Sequence, residues 1–193
     1  MQHDPIAFNR LARTRRSVFP KQFEPGAKVP DEVVKEALEN AIWAPTHKLT
    51  QPWHFVVFTG EGLKKFATFQ SELYKAVSGD NFKQDVFTKF QTQPLLASHI
   101  IAIGMKRNEA VPEMEEIAAV SCAVQNIYLS VAAYGYGGYW TTGGVTYRPQ
   151  AKHFFGLGPD DKLMGFFYIG VVQTPSVSGK REPVETKVEW RSE

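Results

Sequence analysis

Apolar residues recur at helical spacing in Val33, Val34, Ala37, Leu38, Ala41 and Ile42, which predicts a helix with one buried face beginning after Val29-Pro30. Asp31 and Glu32 open it, where acids complement the positive end of a helix. A shorter helix is predicted from Asp4-Pro5, a cap and a first-turn proline, through Ile6, Phe8, Leu11 and Ala12. It runs into the basic cluster Arg13-Thr14-Arg15-Arg16-Ser17. From Glu113 to Tyr134 the pattern changes. Ile117, Val120, Ser121, Val124, Ile127, Tyr128 and Val131 mark one face, and Ala118, Cys122, Ala123, Ala132 and Ala133 keep the other side small. A helix apolar nearly all round predicts burial, either centrally or in a subunit interface.

Strands are predicted where β-branched and aromatic residues run together: 53–58, 97–105, a stretch entering 139–144, and the long apolar run 162–173. A short helix is expected over Pro149–Gly156. Residues 61–93 are aromatic and polar by turns, which suits a lid over a pocket better than a core element. The tail 174–193 is polar, with little core of its own. Helix, helix, strand, strand, helix, strand, strand is not a βαβ alternation, so the order predicts one α+β domain over 1–193 and not a Rossmann fold.

Composition narrows the function classes. With 193 residues, 43% hydrophobic and 22% charged, the chain can bury a core without disulfides or metals. A net charge of +2 with no run of like charges gives no reason to expect a nucleic-acid partner. The single cysteine, Cys122, excludes a disulfide framework and suits a reducing compartment. The N-terminus shows no signal-type apolar core, and the longest apolar run, Leu163 to Val172, is expected to be about half of the ~20 residues of a membrane-spanning helix. The expectation is a cytoplasmic protein without a membrane partner.

Four stretches carry candidate chemistry. Arg15-Arg16-Ser17 follows a helix at a turn, and guanidinium forks match phosphate geometry; a solvated surface pair is the plainer alternative. Trp43 to Phe58 joins helix to strand through a polar loop with Pro45 and Pro52 at its ends, holding Thr46, His47, Lys48, Thr50 and Gln51 on a short tether. His47 could titrate, ligate a metal or simply be a satisfied loop histidine, and no second ligand lies at metal-binding spacing. Gln51 offers a donor and an acceptor to the edge of a heteroaromatic ring. Gly135-Tyr136-Gly137-Gly138-Tyr139-Trp140-Thr141-Thr142-Gly143 lets backbone pass close to something flat or bulky. Ser178-Gly179-Lys180-Arg181 adds a basic pair near the end of the chain.

Taken together, these stretches resemble the FMN-dependent nitroreductase family. Ala44-Pro45-Thr46-His47-Lys48 with Gln51-Pro52-Trp53-His54-Phe55 is similar to its Ala-Pro loop, closest to the small members with His-Lys in it. Arg15-Arg16-Ser17 and the Gly-Trp-Thr segment occur in the family order. Val18-Phe19 departs from the usual continuation of the first motif, and Thr141 replaces a basic residue common in the third. The resemblance implies a central mixed or antiparallel sheet flanked by helices, and a homodimer with FMN at the interface. It implies that Arg15, Arg16 and Arg181 hold the FMN phosphate and that Ser17 and Gln51 anchor the ring system. His47 would reach the FMN of the partner subunit, and Trp140, Thr141, Thr142 and Gly143 would line the flavin. The implied activity passes electrons from NADPH or NADH to nitroarenes, quinones or similar small acceptors, with no side chain acting as nucleophile. A dedicated metabolite substrate, or a flavin-binding protein that senses rather than turns over, are the alternatives.

Overall fold

The structure is a computed structural model, and it describes residues 3–176 and 178–192. Helix α1, Pro5–Thr14, is capped by Asp4, whose carboxylate accepts from the N–H groups of Ile6 and Ala7. Helix α2, Asp31–Ala41, carries its acids in the first turn and buries Val33, Val34, Ala37 and Ala41. Strand β1, Trp53–Thr59, is followed by α3, Glu61–Ser78, and α4, Gln84–Thr92. Then come β2, His99–Met105; α5, Glu113–Ala133; β3, Gly137–Thr141; and β4, Lys162–Gly170. Pro149–Phe155 is a 3-10 turn ending at the left-handed Gly156.

The four strands form one sheet in the order β1-β2-β4-β3, antiparallel throughout. All seven residues of β2 are buried because both faces of the sheet are covered. Ile101, Ile103 and Met105 join Phe167 and Ile169 against α2 and α5. Ile100 and Ala102 join Phe58, Leu63, Phe66, Phe155 and Phe166 on the other face. Period-two alternation is therefore present in β2, but with apolar residues at both phases.

Three expectations are modified. The last strand stops at Gly170, and Val172 continues only as an isolated bridge to Phe23. The strand expected near 139–144 begins at Gly137 and ends at Thr141. Residues 61–93 divide: Leu63, Phe66 and Ala67 of α3 belong to the core, whereas α4 has no buried residue. The helical spacing of Leu63, Phe66, Phe69, Leu73 and Tyr74 marks α3, and that of Val86, Phe87 and Phe90, with Phe82 just ahead, marks α4.

A bulge in β4 sets the position of a tryptophan on the neighbouring strand. Ile103 pairs with Gly165 and Gly104 with Leu163, leaving Met164 extra. Gly165 has φ +114°, and a Cβ there would stand 2.3 Å from the Thr141 carbonyl oxygen. Only glycine fits. The bulge presents the Met164 carbonyl to the Trp140 indole N–H at 3.0 Å, fixing that ring.

Candidate functional site

Arg15 caps the C-terminus of α1, its N–H donating to the Leu11 carbonyl. Arg16 turns back, and its Nη1 donates to the carbonyls of Arg13 and Arg15 at 2.8 and 2.7 Å, satisfying acceptors that the helix end leaves open. Ser17 bridges to Gly138, and the Val18 N–H donates to the Gly138 carbonyl at 2.9 Å. The Arg-Arg-Ser segment is thereby pinned to the free edge of β3.

Beneath it stands Tyr128 of α5. The Arg15 guanidinium lies 4.6 Å over the Tyr128 ring centroid. The Tyr128 hydroxyl accepts the Trp140 main-chain N–H at 2.7 Å and shares a hydrogen bond with Ser17 Oγ at 3.2 Å. From the far end of the chain, Ser176 Oγ donates to the Ser17 carbonyl at 3.0 Å. Gly179 lies so close to Arg16 that a Cβ would sit 2.7 Å from Nε. Arg13, Arg15, Arg16 and Arg181 thus line one cleft of about 250 Å³, and among the described residues no carboxylate joins its walls. Beside it Arg15 Nη1 is buried and has no hydrogen-bond partner among the described residues. Native proteins seldom leave a buried charged donor unmet unless something else meets it. An anion with several acceptor oxygens answers that need.

The loop after α2 is held differently. Thr46 Oγ1 accepts the Gln51 N–H and shares a hydrogen bond with Thr50 Oγ1. Lys48, Leu49 and Gln51 have φ of 48°, 54° and 46°, left-handed values without a glycine among them. Each costs of order 1–3 kcal/mol, and such strain gathers at functional loops. His47 Nδ1 lies 3.4 Å from Glu115 Oε2 of α5, both side chains about half exposed. Gln51 shares a cavity of about 310 Å³ with Ile42, Trp43 and Leu49. That cavity and the arginine cleft have no residue in common, so one chain alone does not bring Gln51 to Arg15, Arg16 and Arg181.

The third motif straddles the edge strand. Trp140 and Thr142 face a cavity of about 520 Å³ on the α5 side, whereas Thr141, Gly143 and Gly144 face one of about 110 Å³ under Phe90 of α4. Tyr168 lines the smaller one, and burial pushes its phenol well above the ordinary value. Two of the motif's glycines serve the protein's own packing. A Cβ at Gly138 would meet Phe167 at 2.6 Å, and one at Gly137 would meet Phe23 at 2.9 Å. Only Gly135, at φ +80°, is a turn glycine in the conformational sense.

Sequence reasoning missed Tyr128, Ser176 and Gly179 as site residues. Tyr128 was legible only as one more member of an apolar helix face; a hydroxyl among Val124, Ile127 and Val131 was the available signal. Among the described residues no group of three or more His, Cys, Asp or Glu stands together as a metal site.

An antiparallel four-stranded sheet with helices on both faces, and a guanidinium cleft along its β3 edge, defines an α+β protein with a site suited to an anionic ligand. A sequence profile described as "Nitroreductase family" matches residues 12–171, and the chain belongs to the nitroreductase family. It is 32% identical over 157 residues to the Escherichia coli (strain K12) protein named "Putative NAD(P)H nitroreductase YdjA", covering 80% of this chain and 84% of that one. A nitroreductase-like family protein from Bacillus cereus superimposes with a TM-score of 0.80 at 25% identity, over 100% of this chain and 99% of the other. A Desulfovibrio desulfuricans protein crystallised in complex with FMN has a TM-score of 0.71 at 22% identity, over 98% and 99%.

Proposed function

We propose that this chain is an FMN-dependent oxidoreductase that takes electrons from NADPH or NADH and passes them to nitroarenes, quinones or similar small acceptors. The observation that carries the reading is a cleft lined by Arg13, Arg15, Arg16 and Arg181 and by no carboxylate among the described residues, closed by a glycine where a side chain would collide, with Arg15 Nη1 beside it lacking a partner. This donor set fits the phosphate of FMN. The other support is family membership and the FMN named with the Desulfovibrio structure.

Arg15, Arg16 and Arg181 would hold the phosphate by charge-assisted hydrogen bonds. Ser17 would contribute its hydroxyl at the start of β3, and Trp140 to Gly143 would flank the ring along the edge. Bound flavin supplies hydride and electron chemistry; the protein positions it and shields it from water. Tyr128 orients Arg15 from below and fixes Trp140 from the side.

The site is completed, in this reading, by a second copy of the chain, whose His47 and Gln51 approach the flavin. Two features support a homodimer. By composition α5 is apolar enough to cross a membrane, yet only 44% of its apolar window is buried within the chain. Met114, Trp43, Leu49 and Trp190 are exposed by 72%, 79%, 78% and 92%. A particle of twice the 21.7 kDa chain mass in sedimentation is the expected result.

The experiment is a visible absorption spectrum of the purified protein, repeated without oxygen after NADPH and then NADH. Flavin bands that bleach support the reductase. Flavin that binds but stays oxidised with both donors points to a sensing role, and a protein that neither carries nor takes up FMN overturns the reading.

A further inference from the structure

A cavity of about 520 Å³ shares no residue with the arginine cleft or with the loop cavity of Gln51. Ile117 of α5, Trp140 of β3 and Leu163 and Met164 of β4 give it apolar walls. Arg148, Lys152 and Lys162 also line it, and among the described residues no carboxylate does. Two of these cations are already engaged: Lys152 Nζ donates to the Pro159 carbonyl at 2.6 Å, and Lys162 Nζ lies 3.1 Å from Glu113 Oε2. The backbone of Arg148 is fixed, its N–H on the Val145 carbonyl and its own carbonyl accepting the Ala151 N–H. Its guanidinium meets no acceptor among the described residues.

A slot of this kind discriminates by charge. Apolar walls take up a flat hydrocarbon ring, and the uncommitted guanidinium adds attraction only for a ligand carrying negative charge. Lys162 is paired with Glu113, whereas Lys152 rests on a neutral carbonyl and keeps its charge beside Arg148, so the site favours an anionic ligand over a neutral one. The volume suits one or two fused rings and is small for a whole dinucleotide. Because Thr142 both lines this cavity and ends the Trp-Thr-Thr segment, a ring held here lies beside the segment assigned to the flavin edge.

We propose that this cavity is the acceptor subsite, selective for flat aromatic acceptors that bear a carboxylate, with the Arg148 guanidinium pairing that carboxylate and Ile117, Trp140 and Met164 holding the ring. The proposal rests on the flavin-reductase reading for its word acceptor, but the anion site itself does not depend on it.

The test compares 4-nitrobenzoate with the neutral 4-nitrobenzyl alcohol, in the flavin-loaded wild-type protein and in Arg148→Gln and Arg148→Lys. Losing one charge-assisted contact lowers kcat/KM for 4-nitrobenzoate by roughly tenfold in Arg148→Gln, through KM. The alcohol stays within about twofold, and Arg148→Lys recovers part of the loss because it keeps the charge but not the fork. Calorimetric binding of 4-nitrobenzoate to the unreduced protein weakens by the same factor and falls with added salt. Equal losses for both acceptors, no loss for either, or an effect confined to the KM of NADPH overturns the subsite. Should the protein hold no flavin, the function fails on its own account. The calorimetric arm then still decides the anion site: binding that Arg148→Gln does not weaken overturns it.

Discussion

Tyr128 holds Trp140 by the main chain: its hydroxyl accepts the Trp140 N–H at 2.7 Å, while its ring carries the Arg15 guanidinium 4.6 Å above the centroid. One side chain on α5 therefore connects the cleft end of the site to the strand end. Arg15 and Trp140 are far apart in sequence, and the backbone links their segments through the isolated Ser17–Gly138 bridge.

Tyr128→Phe keeps the ring under Arg15 but leaves the Trp140 N–H without its acceptor. The expected cost is about 1–3 kcal/mol of stability, the penalty for an unmet buried donor. FMN affinity should fall with it, by roughly tenfold, if the strand end shifts. Urea titration and fluorescence titration with FMN measure the two effects separately. Unchanged values in both would show that Trp140 finds another acceptor.

Arg15→Ala is expected to change binding but not stability. Removing a half-buried guanidinium whose Nη1 has no acceptor, at the loss of its contact with the Tyr128 ring, leaves the flavin-free protein about as stable as wild type. FMN binding weakens by roughly tenfold to a hundredfold, the value of a charge-assisted contact. Thermal melts with and without FMN show this as a lost ligand-induced rise in Tm. A variant destabilised in the absence of FMN would mean that Arg15 is a structural cation held by Tyr128.

Leu49 combines a left-handed φ of 54° with a side chain exposed by 78%, so Leu49→Gly removes strain without removing packing. Stability should rise by up to about 1 kcal/mol after the extra freedom of glycine in the unfolded chain is subtracted. The denaturation midpoint reports it. A fall in the midpoint that grows at higher protein concentration would show that Leu49 packs against a second copy.

Asp161 gives a pH dependence of known sign. Burial opposes its ionisation, but the Lys106 ammonium at 2.9 Å and the N–H groups of Arg107 and Gly158 outweigh that, holding its pKa below the ordinary 3.8. A depressed folded-state pKa stabilises the protein above the unfolded value, and that contribution is lost as pH falls through the folded one. Asp161→Ala is therefore expected to cost about 2–3 kcal/mol at neutral pH. The gap to wild type should hold down to about pH 5 and narrow as pH falls below about 4. A gap that does not change between about pH 5 and about pH 2 would place the effect in packing.

Much of the fold and site was legible in residue types. Arg15, Arg16 and Arg181 converge on one cleft as their motifs imply, and β2 is the buried strand its β-branched run predicts. The glycine-rich segment was legible as a close approach, but not as an approach to Phe23 and Phe167, because that depends on which strand lies beside β3. The left-handed residues of the His47 loop left no sequence signal, and Gly165 inside the apolar run 162–173 was the one mark of the bulge at Met164. Neither asparagine nor glycine marks Lys48, Leu49 or Gln51, and tertiary structure imposes their conformation against local preference. The share of 61–93 that joins the core was hidden because α3 mixes Phe66 and Phe69, one buried and one half-buried, among lysines and a threonine.

β3 is an edge strand, and an edge strand offers its outward main-chain groups to any chain that can pair with them. Here the outward rungs are taken in turn: Gly138 by Val18, and Trp140 by a phenol instead of a backbone. Thr142, next in that series, meets no partner among the described residues. A heteroaromatic ring with alternating donors and acceptors at its edge would end the row as a neighbouring strand does. The cofactor would then also be a protective cap, and the protein stripped of it would be the form inclined to stick to itself.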